Sequence, residues 1–228
     1  SKMLALPHAD RCFDDMMRLG LLDQFAPEFH AMVGVEQGRY HHLDVWDHTL
    51  LVLKNAGPGD EILSLACLLH DVGKPKTRSI DDRGNTRFFS HETVGESMAR
   101  AVLGRLRYPN DTVFRVARLV RNHMRLGSAP KFSPTAARRV LRDLNEDTDR
   151  LLALVDADTR ALKPGVAAMD LQSVRTQIER VKGATPVETL RSPLNGKQIM
   201  SRLGLNEGST IGAAKAYLTE LVLDGKLL

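Results

Sequence analysis

Apolar positions recur along this chain at helical spacing in nearly every segment. Phe13, Met16, Met17 and Leu19 are the apolar groups of a helix predicted over 9–19, which Gly20 is suited to end. After a break at Pro27, Val45, Leu51 and Val52 mark a helix over 44–55, closed by Gly57-Pro58-Gly59. Asp60 is placed to cap the apolar helix 61–70, accepting from a free amide of its first turn. The stretch Asp81-Asp82-Arg83-Gly84-Asn85 has the chemistry of a turn. Phe88 and Phe89 are expected to pack just before Ser90 caps a helix over 91–104. Further helices are predicted over 111–125, over 134–144 with Ser133 as N-cap and Pro134 in the first turn, and over 148–162, stopping near Pro164-Gly165. A mixed-charge amphipathic helix follows over 167–182, then two more near 195–203 and 209–223, separated by Gly204 and Gly208. There is no long-range repeat and no run of alternating strands. The expected fold class is therefore all-α, with a boundary between a core and a C-terminal appendage near 164–190.

Composition changes this picture little. Apolar residues make up 43% of the chain and charged residues 26%, ordinary for a soluble globular protein. No stretch approaches the ~18 uninterrupted apolar residues that would span a bilayer, so no membrane partner is expected. Asp10, Arg11, Asp14 and Asp15 break up any secretion-signal core. Cys12 and Cys67 lie among apolar neighbours and read as reduced, buried thiols, which points to a cytoplasmic location. The net charge of +4 is modest, but from Arg100 to Arg142 eleven Lys or Arg residues face one acid, Asp111. Such a block suits a polyanion, since each phosphate neutralised releases condensed counterions.

The candidate chemistry centres on His70-Asp71-Val72-Gly73-Lys74, at the end of the apolar stretch Ile62 to Leu69. A His and an Asp leaving a buried helix side by side can both turn toward one cation, and imidazole weights the choice toward transition metals. Gly73 is expected to let the chain turn sharply. Lys74 then places a point charge where a phosphate oxygen can sit. Upstream, His48 lies on the apolar face of its helix. Downstream, His91 starts a helix, His123 follows Val120-Arg121-Asn122, and Val155-Asp156-Ala157-Asp158 puts carboxylates into an otherwise apolar helix. Buried acids are costly unless paired or metal-bound. Asp156 and Asp158 are two apart and face different ways, so one of them at most is a ligand. Trp46 reads as core packing, Tyr40, His41 and His42 as loop surface or site entrance, and His8 and His30 carry no assigned role.

The order His48, His70-Asp71, further histidines, then an aspartate resembles the HD superfamily of metal-dependent phosphohydrolases. Nearly the whole chain is similar to the C-terminal half of bacterial tRNA nucleotidyltransferases (CCA-adding enzymes) and poly(A) polymerase relatives. Met17 to Phe29 resembles their neck segment. His42 to Leu53, Leu65 to Pro75 and Phe89 to Gly95 resemble their HD core, and Ser192 to Leu205, with Pro193-Leu194-Asn195-Gly196, their C-terminal segment. The resemblance implies an HD-domain helical bundle over 36–165, N-terminal neck helices over 1–35 and a small C-terminal helical appendage over 166–228. It implies a divalent ion (Mn, Ni, Co, Fe, Mg or Zn) on His48, His70, Asp71 and a later aspartate. The family's Ala-Asp pair favours Asp158 there, with Asp156 in reserve. His91 and His123 match positions that ligate a second ion or contact phosphate in better-equipped relatives. The paired carboxylates of a nucleotidyltransferase head are missing from this sequence, so nucleotide polymerisation is not expected of it.

The expected activity is hydrolysis of phosphoesters of nucleotides or RNA ends (2′,3′-cyclic, 2′- or 3′-phosphate) by a metal-bound water. Asp71, Lys74, His91 and His123 are the expected catalytic residues. Lys74, Arg121 and Arg125 are the expected phosphate ligands, and His91 or His123 a proton donor to the leaving oxygen. The rival reading is a tRNA-binding body, related to a CCA-adding enzyme and paired with a separate head, in which the site is idle. Every expected ligand position is filled, which favours the enzyme. Monomer and homodimer both stay open.

Overall fold

The computed structural model describes residues 2–38, 40–127, 132–166 and 169–227. The helices are α1 Ala9–Arg18, α2 Val45–Ala56, α3 Glu61–Leu69, α4 Lys74–Thr77, α5 His91–Arg105, α6 Asn110–Asn122, α7 Pro134–Leu144, α8 Thr148–Thr159, α9 Leu171–Ala184, α10 Gly196–Leu203 and α11 Ser209–Leu223. The fold is all-α. The first two positions of the helix predicted over 167–182 lie outside the described residues, as does Lys131 of the basic block.

The caps are local and readable. Asp44 accepts from the Asp47 amide at 2.8 Å, Asp60 from Leu63 at 3.0 Å, Ser133 from Ala136 at 3.1 Å and Asp170 from Ser173 at 3.0 Å. Each such bond satisfies one orphan amide and is worth about 1 kcal/mol. Asn195 and Gln198 close a reciprocal capping box on α10. Ser90 precedes α5 as predicted, but with φ 59° its side chain makes no cap bond.

Two compact units emerge, one of Ser1–Ser128 with Asp149–Met169, the other of Ala129–Thr148 with Asp170–Leu228. In the first, α5 packs along α6, and α3 packs against α2 and α6. Every residue from Leu63 to Leu69 is buried, so this part of α3 is enclosed on all sides, as its almost wholly apolar sequence requires. Leu68, Leu69, Leu103, Leu119, Leu151 and Leu154 form the centre of this core. Polar ties fix α8 against α2: Asn55 donates to the Ala157 carbonyl at 3.0 Å, and Arg160 to the Asn55 carbonyl at 2.7 Å. In the second unit α7 packs on α9 and α11, around Leu141, Leu144 and Ile178. There Arg139 reaches Glu220 at 2.6 Å and Asp224 at 3.3 Å.

Three expectations change. The turn at 81–85 is the tip of a hairpin, β1 Arg78–Ile80 paired antiparallel with β2 Thr86–Phe88. Asp81 Oδ1 accepts from the Arg83 and Asn85 amides at 3.0 and 2.8 Å and sets that turn. Strands of three residues are too short to show alternation, so only the turn was readable. Phe88 is half-buried, but Phe89 is 75% exposed and does not pack into the core. Of the two free thiols Cys67 is buried and Cys12 exposed, because α1 presents Phe13 to the core and turns its preceding residue outward.

Candidate metal centre

The centre forms where α3 runs out. His70 is the C-cap of α3, Val72 is buried, and Lys74 opens α4. Gly73 sits at φ −78°, a conformation open to any residue, so the sharp-turn explanation does not hold. Its reason is space. A Cβ on Gly73 would collide with the His91 carbonyl oxygen and lie 2.7 Å from the Gly95 nitrogen. The His-Asp turn therefore rests directly on the first turn of α5, which brings His91 to Asp71.

Four histidines and two aspartates converge from α2, α3, α5, α6 and α8. Asp71 is the hub, and its two oxygens face different partners. Oδ2 lies 3.1 Å from His70 Nε2 and 3.8 Å from His48 Nε2; Oδ1 lies 3.4 Å from His91 Nε2 and 3.8 Å from His123 Nε2. Asp158 Oδ1 meets His48 Nε2 at 3.0 Å. Asp156, two residues earlier, pairs with Arg160 at 3.0 Å and stays out of the cluster. Two sets of three side chains thus bring ligand atoms within 4.8 Å of one another, His48–His70–Asp71 and Asp71–His91–His123.

The hydrogen bonds decide which nitrogens point inward. His70 Nδ1 lies 2.8 Å from the Cys67 carbonyl, His91 Nδ1 2.8 Å from that of Phe88, and His123 Nδ1 2.7 Å from that of Val120. A carbonyl only accepts, so each Nδ1 carries the proton and each neutral ring turns an Nε2 lone pair to the centre. The consequence is unfavourable without a cation. His91 and His123 oppose Nε2 to Nε2 at 3.2 Å, and His70 Nε2 faces a carboxylate oxygen with no hydrogen-bond partner among the described residues. Converging imidazole and carboxylate lone pairs in a buried site fit a divalent metal ion.

The electrostatics of the two aspartates agree, whereas His70 without a cation is drawn toward its charged form. Burial alone would raise Asp71, but the charges of His70 and Lys74 hold it well below the usual carboxylate range. Asp158 is likewise lowered against its burial by the His48 hydrogen bond and the His70 charge. Burial opposes a charged His70, yet the Asp71 carboxylate outweighs it and raises that group. His123 is held down to about 4 by burial and then by the His70 charge.

Lys74 is buried, its Nζ 2.6 Å from Asp71 Oδ2 and 2.6 Å from Gln37 Oε1. Gln37 is itself fixed, donating through Nε2 to the Asp44 carbonyl at 3.1 Å. His41 stacks edge-on against His48 with centroids 4.8 Å apart, and burial followed by the Lys74 charge lowers it to about 4. Gln37 carries no signal of its own in the sequence, and His41 reads there as loop surface or site entrance. Both belong to an irregular segment before α2, where no periodicity marks an inward side chain; their closeness to Asp44 and His48 is the only available signal. The cluster opens into a cavity of about 550 Å³ whose polar end holds Asp71, Lys74, His91, His123 and Asp158. Arg121 and Arg125 do not line it: Arg121 donates to Glu92 at 2.9 Å and Arg125 to Asn122 at 2.7 Å.

Residues 38–161 match the family model of the HD domain. The chain belongs to the HD domain family. Its whole length is 37% identical to a CC-adding tRNA nucleotidyltransferase of Thermus thermophilus, covering 52% of that protein. An A-adding tRNA nucleotidyltransferase of Deinococcus radiodurans is 35% identical over 96% of the chain, covering 51% of its own length. A multifunctional CCA protein of Pseudomonas paraeruginosa is 28% identical over 96% of the chain and 55% of its own length. The chain spans about half the length of the curated relatives it matches. The HD match contains His48, His70, Asp71, His91, His123 and Asp158, the first five buried in one cluster and Asp158 half-buried at its edge. Among the described residues no helix is long and apolar enough to cross a membrane.

Proposed function

We propose that this HD domain is a metal-dependent phosphohydrolase acting on phosphoesters of nucleotides or RNA ends. The observation that carries the reading is the set of Nε2 lone pairs turned onto the two oxygens of Asp71, each ring locked by a carbonyl behind it. His48, His70, Asp71 and Asp158 would hold one divalent ion; Asp71, His91 and His123 would hold a second. Such ions lower the pKa of water and offset charge on phosphoryl oxygens. The protein's own part is to keep both aspartates ionised and the rings fixed by their Nδ1 bonds, which spares reorganisation during reaction. Lys74, held between Asp71 and Gln37, supplies a positive charge at the floor of the cavity for a phosphoryl oxygen. His91 and His123, where they are not ligands, would accept a proton through those lone pairs and could donate to a leaving oxygen only once protonated at Nε2. The likeness to tRNA nucleotidyltransferases supports RNA ends, tRNA among them, as substrates.

The test is hydrolysis by protein loaded in turn with Mn, Ni, Co, Mg or Zn. The panel is an aryl phosphate ester, 2′,3′-cyclic and 2′-nucleotides, and an RNA with a 3′-phosphate. Turnover of at least one class is expected. Inertness toward the whole panel with every metal would overturn the proposal and leave tRNA binding as the better reading.

A further inference from the structure

The cavity above the cluster is two-faced. Its inner end is charged and polar, while its rim carries Tyr40, Phe89 and Met124, each half exposed or more. Phe88 and Phe89 mark the division. The Phe88 ring lies 5.6 Å from Lys74 Nζ, facing the charged end, and the next residue, on the opposite side of the strand's exit, leaves its ring 75% exposed while still lining the same cavity. An exposed phenyl group contributes nothing to the core, and on a cavity wall beside Tyr40 and Met124 its face is available to a ligand. The backbone beneath it is tied on both sides. Phe88 pairs with Arg78 in the hairpin ladder, its carbonyl is bound by His91 Nδ1, and Ser90 follows in the left-handed region at φ 59°. Phe89 is thus held between the hairpin and a residue of the metal cluster.

We infer that Phe89 is a specificity-determining residue: the platform on which a nucleobase stacks while its phosphoester reaches the cluster. This rests on the phosphohydrolase reading and narrows its substrate to phosphoesters bearing a flat aromatic group. Glycerol phosphates offer the ring no flat π-face to stack on. Arg87, the arginine on the cavity wall, is occupied by Asp81 at 2.9 Å and is not poised to read base edges. Stacking accepts every base because each has a π-face, so recognition should tolerate base identity.

The experiment compares metal-loaded wild type, Phe89→Ala and Phe89→Trp on 2′-AMP, 2′-UMP and glycerol 2-phosphate. Wild type should prefer both nucleotides over glycerol 2-phosphate by about tenfold or more in kcat/KM, with the two bases within a few fold of each other. Phe89→Ala should lose that preference through KM, and Phe89→Trp should keep it. An unchanged preference in Phe89→Ala overturns the inference. Should wild type hydrolyse none of the three, the function proposed above fails at that step, and stacking is read separately by calorimetric titration of 2′-AMP. Binding weakened about tenfold in Phe89→Ala then supports the platform, and equal binding overturns it. Melting temperatures of the variants, expected to match because the ring is exposed, exclude misfolding as the cause.

Discussion

His48 and Asp158, 110 residues apart in sequence, meet at 3.0 Å between Nε2 and Oδ1. That contact ties α2 to α8 across the centre, and the neighbouring Asn55–Ala157 and Arg160–Asn55 bonds hold the two helices in register. It separates the two aspartates that the sequence offered. Asp158→Ala is expected to lower metal affinity by more than the 10–100-fold typical of losing an outer-shell partner. Asp156→Ala should leave metal content at the wild-type level. Elemental analysis of both proteins after identical metal loading distinguishes them; equal depletion would contradict the assignment.

Gln37 binds Lys74 with one end of its amide and the cap of α2 with the other. Gln37→Leu removes one of the two partners of a buried ammonium and lets it settle wholly on Asp71. On the proposed function, kcat should fall by about tenfold, the scale of removing a supporting hydrogen bond at a metal site, with metal content unchanged. Steady-state kinetics with parallel metal analysis check this, and a fall in metal content would move Gln37 into the ligand scaffold instead.

Gly73 and Gly104 make a paired test of packing. A Cβ at Gly73 meets the backbone of α5, whereas one at Gly104 meets nothing within 4 Å. Gly73→Ala should destabilise by about 1–3 kcal/mol, the usual cost of overpacking, and displace His91 from Asp71. Gly104→Ala, inside α5, should stabilise by up to about 1 kcal/mol. Denaturant midpoints read both.

The pH dependence of the metal-free protein follows from the buried rings. His41 and His123 titrate at about 4 in the fold and near 6.5 when unfolded, so below about 6.5 the unfolded chain binds more protons. Their effect is to make stability fall as pH drops from about 6.5 to 4. Asp71 and Asp158, both lowered, act in the same sense at lower pH; their stabilisation is lost as pH falls below the normal carboxylate range. His70, raised, acts the other way, contributing below its unfolded value and losing that contribution as pH rises. Melting temperatures should therefore decline from pH 6.5 to 4, and a flat profile would contradict the burial of these groups as neutral rings.

What could be read from the sequence was what is local. Caps such as Asp60 and Ser133 announce themselves because capping needs only a short polar residue beside an apolar run. The His-Asp pair was legible for the same reason, since it directly follows a buried helix. Spatial pairing was not. The basic block Arg100–Arg142 counts one acid along the chain, yet Arg100 pairs with Glu96, Arg105 with Glu28, Arg121 with Glu92 and Arg139 with Glu220. Those acids lie before or after the block, so part of its apparent excess of charge is compensated in the fold. Gly73 was hidden differently: its need is set by the backbone of His91 and Gly95, which no local pattern reports.

The central claim, that Asp71 joins two cation sets, is tested most directly by metal stoichiometry of wild type and Asp71→Asn after loading with Mn, Co or Ni and removal of excess. The geometry predicts one to two equivalents per chain in wild type and loss of most of that metal, with any phosphohydrolase activity, in the variant. Wild type that retains no metal, or Asp71→Asn that retains as much as wild type, would contradict it.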